Sequence, residues 1–247
     1  MPATDDLGTP VAVDGVARRV VSLVPSLTET LAEARPSAVI GATDWCTRPR
    51  GLDVARVRGT KNPDLSKIAL LAPDLVIANQ EENRELDVRR LRAAGVPVWV
   101  TRIETVPGAI QSIERLFDEA LRWPRPGWLR TAREQWCGPL TSATKRVAVA
   151  IWRDPWMFVG PRTFTGDLIR RLGYENVLNE HEDRYPTMTV AEIEALAPGL
   201  VLLPDEPYEF SERDGPEAFG IPTQLVSGRL ITWYGPSLLE ARQLALK

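Results

Sequence analysis

Short apolar runs alternate along this chain with segments of helical period, which predicts strands and helices in turn. Residues 19–24, 39–42, 75–78 and 96–101 read as buried strands of the first half. Ser26-Leu27-Thr28-Glu29 has capping-box spacing and opens the first helix. A second helix follows Gly59-Thr60-Lys61-Asn62-Pro63 and ends near Leu71, and a third covers 81–94 with Leu86 and Leu91 inward. Residues 1–18 read as a polar lead-in with a short strand at 11–13. Residues 106–123 read as helix, with Ile110, Ile113, Leu116, Phe117 and Leu121 on one face. Pro124 and Pro126 interrupt it, and 127–137 resumes helix. The second half has strands at 146–152, 201–203, 225–226 and 230–231, with helices at 164–172, 190–196 and from Ser237. Strands alternating with helices imply mainly parallel sheets with covered faces.

The pattern also repeats. Leu71-Ala72-Pro73-Asp74-Leu75-Val76 recurs as Leu196-Ala197-Pro198-Gly199-Leu200-Val201, and Pro73 and Pro198 are 125 residues apart. Glu81 and Glu206 keep that offset, as do Gly95-Val96-Pro97 and Gly220-Ile221-Pro222. Two copies of one α/β unit predict two similar lobes, residues 1–125 and 146–247, with a connecting helix over 126–145. A cleft between lobes is a common ligand site.

Composition narrows the function. A net charge of −3 argues against a general nucleic-acid binder, which needs cations to displace counterions. Only four of the 30 basic residues are lysine, so Lys61 in a polar loop stands out. Cys46 and Cys137 fit no metal or redox spacing. No apolar run is long enough to span a bilayer, and residues 1–10 have neither a basic nor an apolar signal region. The expected location is therefore the cytoplasm, without membrane insertion.

Ligands of parallel α/β sheets sit beyond the carboxyl ends of the strands. The loops there carry Trp45, Trp152, Trp156, Tyr208, Trp233 and Tyr234, rings that either line a ligand or plug the sheet ends. Lys61-Asn62-Pro63 and Gln80-Glu81-Glu82-Asn83-Arg84 supply polar groups, for a ligand or for helix capping. Catalytic motifs are absent: no G-x-S-x-G, P-loop or G-x-G-x-x-G occurs, and the single histidine, His181, reads as a surface residue.

Several stretches together resemble the class III, helical-backbone periplasmic substrate-binding proteins, which include the cobalamin-binding component of ABC importers. They are Arg19-Val20-Val21-Ser22-Leu23-Val24-Pro25-Ser26-Leu27-Thr28-Glu29, residues 68–78, residues 160–173, and Arg184-Tyr185-Pro186. Within that superfamily the chain is similar to a cobalamin-binding branch through 59–63, 78–84, 151–157 and 205–210. The resemblance implies an α/β fold of two similar, mainly parallel lobes joined by a long helix, with a ligand in the inter-lobe cleft and no catalysis. The implied ligand is a corrinoid or another large metal chelate, and no resident metal or cofactor is expected. Trp45, Trp152, Trp156 and Trp233 would give apolar walls, with Lys61, Asn62, Glu81, Arg84, Glu206 and Tyr208 as the remaining contacts.

Alternatives are a siderophore or haem binder, with Tyr185 or Tyr208 as haem ligand, and an enzyme that has recruited the cleft with Cys46, Lys61 and Glu81. The chain also departs from the superfamily. Arg48 stands where the branch often has histidine, and Thr60 stands at the first-lobe stacking aromatic. Ser66 replaces a permease-facing glutamate, which leaves docking to an ABC permease doubtful.

Overall fold

The strands Ala55–Arg56, Val39–Ala42, Val20–Ser22, Leu75–Asn79 and Val98–Thr101 lie side by side in that order, all parallel, in a computed structural model that describes residues 3–140 and 142–244. They belong to the first of two units, which comprises the chain up to Ile103, Gly108–Thr131 and Tyr234–Pro236. The second comprises Glu104–Pro107, Ala132–Trp233 and the chain from Ser237.

In the first unit, Val21, Leu23, Ile68, Val76, Ala78, Leu91, Val98 and Val100 form one core. Strands buried on both faces explain the unbroken apolar runs. Two helix starts differ from the sequence expectation. Pro25–Ala34 begins at its proline with Val24 as N-cap and no side-chain cap, because Pro25 has the φ and the missing N–H that suit the first helical position. Ser26 thus falls inside the helix, and the Ser26–Glu29 capping box does not form. The third expected helix starts at Glu85, not Glu81. Asn79 Oδ1 accepts the amides of Glu81 (2.8 Å) and Glu82 (3.2 Å), which holds 80–83 in a turn. Val88 and Leu91 then face inward and Leu86 is exposed.

The N-terminal residues are more than a lead-in. Ala3–Thr4 pairs with Pro10–Val11, and Asp5 is buried between them. Its carboxylate accepts the Leu7 and Thr9 amides and pairs with Arg92 at 2.6 Å.

In the second unit, Lys145–Trp152 is central. Tyr174–Asn176 runs parallel to its first half and Met157–Phe158 antiparallel to its end. Leu200–Pro204 and Thr223–Val226 continue the sheet in parallel. Residues 230–231, expected as a strand, lie in the helix Gly228–Thr232. Asp205 Oδ1 accepts the Gly228 amide at 2.6 Å, satisfying one of the free N–H groups that a helix start leaves.

The repeat is legible in the ladders. Val76 pairs Val98 and Ile77 pairs Trp99; Val201 pairs Thr223 and Leu202 pairs Gln224, each partner 125 residues on. Before each of these strands an alanine in the left-handed region, Ala72 (φ 44°) or Ala197 (φ 52°), ends a helix. Arg19 donates to the carbonyls of Leu71 and Ala72, and Arg146 to those of Leu196 and Ala197. Between the copies, Val106–Arg115 continues as a π-helix over Leu116–Leu121, and the helix expected over 126–145 extends over Gly127–Trp136.

Candidate functional site

A parallel sheet places its ligand where the strand order turns back. In the first unit that point lies beyond Val20–Ser22 and Leu75–Asn79. Asn83 joins the loops there: its Nδ2 donates to Leu23 O (3.3 Å) and Thr60 O (3.0 Å), and its Oδ1 accepts the Asn79 amide at 2.8 Å. Asn79 Nδ2 reaches Thr101 Oγ1 on the adjacent strand at 3.1 Å. Arg58–Gly59 and Asn62–Pro63 form a hairpin with Lys61 at its tip. Lys61 Nζ donates to Glu81 O at 2.5 Å, tying hairpin to turn.

Trp45 is 67% exposed and backs onto this hairpin. A Cβ on Gly59 would lie 2.5 Å from Asn62 Oδ1 and 3.3 Å from Trp45 Nε1, so a side chain there would push those two side chains aside. The loop bearing Trp45 is fixed by Arg56, which donates to the Thr43, Cys46 and Leu52 carbonyls. Trp45, Lys61, Asn62 and Glu81 therefore gather around one hairpin. Arg84 stands exposed at the N-cap of the following helix.

Cys46 is fully buried, with its sulfur 3.0 Å from Thr28 Oγ1 and 3.1 Å from Thr43 Oγ1. Burial pushes its pKa up against those hydrogen bonds, so it is a thiol and a poor nucleophile. Iodoacetamide should alkylate half-buried Cys137 of the native protein well before Cys46, and both in urea. Prompt modification of Cys46 in the native state would contradict this.

The second unit has its own turning point, beyond Lys145–Trp152 and Leu200–Pro204. Trp152 ends its strand 43% exposed, with Tyr208 edge-on at 5.5 Å and 76°. Tyr208 donates to Asp214 Oδ2 at 2.6 Å, and this bond raises its pKa. Arg153, which the sequence reading passed over, contacts Asp214 and Glu217 and lies 5.5 Å over Trp156. Its signals in the sequence are its place beside Trp152 and within the stretch 151–157.

Trp156 stacks on Phe210 (5.6 Å, 8°) and meets Phe219 edge-on, within the second core. Glu206 is half-buried, and its side chain and backbone crowd Gly228, where a Cβ would lie 2.7 Å from Glu206 O. Trp233 is only 8% exposed. Tyr185 lies under Arg184 at 5.8 Å, and His181 Nδ1 accepts the Asp183 amide at 3.0 Å. Among the described residues no cluster of three or more His, Cys, Asp or Glu side chains is placed to hold a metal, and no helix is long and apolar enough to cross a membrane.

No protein-family model matches the chain. A vitamin B12-binding protein of Salmonella typhi is 25% identical over 199 residues, covering 76% of this chain and 72% of that protein. The periplasmic vitamin B12 binding protein BtuF of Vibrio cholerae has a TM-score of 0.72 at 18% identity, covering 92% of this chain and 94% of that one. A periplasmic heme-binding protein from Pseudomonas aeruginosa gives 0.73 at 18% identity, covering 92% and 90%. The chain shares the fold of these periplasmic binding proteins. All three of these similar proteins are named as binding proteins. Each of the two mainly parallel sheets carries an exposed tryptophan at or beyond its strand ends, Trp45 in the first unit and Trp152 in the second.

Proposed function

We propose that this chain is a non-catalytic binding protein for a corrinoid, or another metal chelate of that size. The observation that carries the reading is the Trp152 ring, left open beyond the second sheet and braced by Tyr208. A flat, braced aromatic offers stacking area at little entropic cost. In the first unit, Trp45, Lys61, Asn62, Glu81 and Arg84 would provide a second aromatic face and polar contacts for the amide-rich rim of a corrinoid. Glu206 and Tyr208 would do so in the second unit, and Trp156 and Trp233 would back that wall from behind. The vitamin B12-binding names of two relatives support the ligand class.

Haem ligation by Tyr208 requires a phenolate, whereas its hydroxyl is committed to Asp214 with its pKa raised. The enzyme alternative loses its nucleophile, since Cys46 is a buried thiol. Ser66 is exposed on the helix Leu65–Leu70, so a hydroxyl stands where a permease-facing carboxylate was expected. The cytoplasmic expectation draws no support from the Vibrio and Pseudomonas proteins, both named as periplasmic.

The test is a tryptophan-fluorescence titration with cyanocobalamin on the wild type and Trp152→Ala. Loss of an aromatic anchor weakens binding by about 1–3 kcal/mol, roughly fivefold to over a hundredfold. The thermal midpoint should barely move, because Trp152 is exposed. Equal affinities would remove Trp152 from the site.

A further inference from the structure

The turn that carries Glu81 is held from a point far away in sequence. Tyr234 is 6% exposed, belongs to the first unit with Gly235 and Pro236, and donates its hydroxyl to Glu82 Oε1 at 2.7 Å. The backbone beside it is seated on the helix Pro25–Ala34. A Cβ on Gly235 would stand 2.6 Å from Thr30 Oγ1 and 3.2 Å from Ser26 O, so a side chain there would have to displace Thr30 Oγ1 or shift the segment against the helix. Glu82 in turn lies in the turn built on Asn79 Oδ1, which also accepts the Glu81 amide. On the far side of that turn, Lys61 holds Glu81 O and Asn83 holds Thr60 O. One series of contacts thus runs from Tyr234 through Glu82 and the Asn79–Asn83 turn to Lys61.

We infer that Tyr234 is a positioning residue: its buried hydroxyl fixes Glu82, and thereby the turn that sets Glu81 and Lys61. The structural half rests on the contacts within the first unit. The functional half, that ligand affinity depends on this positioning, rests on the corrinoid-binding reading above.

The physical basis is an asymmetry in strength. A phenol donating to a carboxylate makes a charge-assisted hydrogen bond, stronger than a neutral one, and burial shields it from water. The turn it holds is flanked by the exposed residues Gln80 and Arg84 and follows the carboxyl end of the strand Leu75–Asn79. Segments of that kind open locally without unfolding the strands beneath them. The Leu75–Asn79 strand, buried along its whole length, has no such freedom.

Hydrogen exchange on the ligand-free full chain tests the structural half, and cyanocobalamin affinity tests the functional half. In Tyr234→Phe, which deletes only the hydroxyl, amide exchange over residues 81–84 should rise about tenfold or more while 75–79 stays protected. Its dissociation constant for cyanocobalamin should rise about tenfold. Glu82→Gln keeps an oxygen acceptor and should stay closer to wild type in both measurements. Unchanged exchange in Tyr234→Phe, or equal acceleration throughout the protein, would overturn the inference. Local opening with unchanged affinity would overturn its functional half. If Tyr234→Phe does not fold, Glu82→Ala carries the same test, with the same local opening expected and its absence decisive against. Failure of the wild type to bind cyanocobalamin would refute the ligand reading and leave the exchange result to stand or fall separately.

Discussion

Asp5→Ala lowers the unfolding free energy by about 3–5 kcal/mol, the usual effect of removing one partner from a buried ion pair. The Asp5 side chain is completely buried and lies 2.6 Å from the Arg92 guanidinium, which retains 26% exposure. Its other oxygen accepts the Leu7 and Thr9 amides, so the same carboxylate closes the N-terminal hairpin. Truncation takes the acceptor from the Leu7, Thr9 and Val100 amides at once and leaves the guanidinium with the Val98 carbonyl. Next to it, Asp6 receives Arg115, Ser112 Oγ and the Arg102 amide, which anchors the hairpin a second time. Urea denaturation reads the effect directly: with a slope of about 2 kcal/mol per molar, the midpoint drops by roughly 1.5–2.5 M. Asp5→Asn, which keeps the amide acceptor but not the charge, should lose less. A loss below about 1 kcal/mol for Asp5→Ala would mean that the N-terminal residues contribute little to the first unit.

Trp233→Ala should be nearly as damaging, about 3–5 kcal/mol for deletion of a buried large aromatic. The sequence places Trp233 in a loop and suggests a half-open ring, for which stability would change little. The structure corrects that expectation: 8% exposure leaves no open face, and its backbone is engaged on both sides, the amide with Arg229 O and the carbonyl with Ser237 Oγ. Trp233→Ala therefore lowers the thermal midpoint, and Trp233→Phe recovers part of the loss by refilling the volume. An unchanged midpoint in Trp233→Ala would show that the ring is not part of a core. Binding is better read through Trp152, whose ring is open to solvent.

Much of the fold was legible because both copies obey one rule. A helix ends at an alanine before Pro73 or Pro198, and a wholly apolar run then enters the sheet beside the first strand. Local signals sufficed there. They failed where a distant side chain decides the local conformation. The pair Leu230-Ile231 is too short to separate strand from helix, and the Asp205 carboxylate that satisfies the Gly228 amide lies 23 residues away. The start of the third helix moved to Glu85 because Asn79 captured the preceding amides, a turn that Asn79 and Asn83 signal only through their spacing. Residues 1–18 looked polar because the burial of Asp5 depends on Arg92, far along the chain.

The site was legible in kind and less so in detail. Aromatic residues beyond strand ends are visible in the sequence, but whether a ring faces outward depends on what packs behind it. Trp45 and Trp152 are exposed, whereas Phe158, Phe210 and Phe219 draw Trp156 into the second core. Lys61 was conspicuous by scarcity, and the structure adds what it holds, the Glu81 carbonyl. Tyr234 was noticed only as an aromatic; its partner Glu82 is 152 residues distant, beyond any local pattern.

The most direct measurement is calorimetric titration of the ligand-free wild-type protein with cyanocobalamin, hemin and a ferric siderophore in parallel. The proposed function predicts saturable, stoichiometric heat with cyanocobalamin and weaker or no heat with the other two. Saturation by hemin or the siderophore alone, or no saturable heat with any of the three, would contradict it.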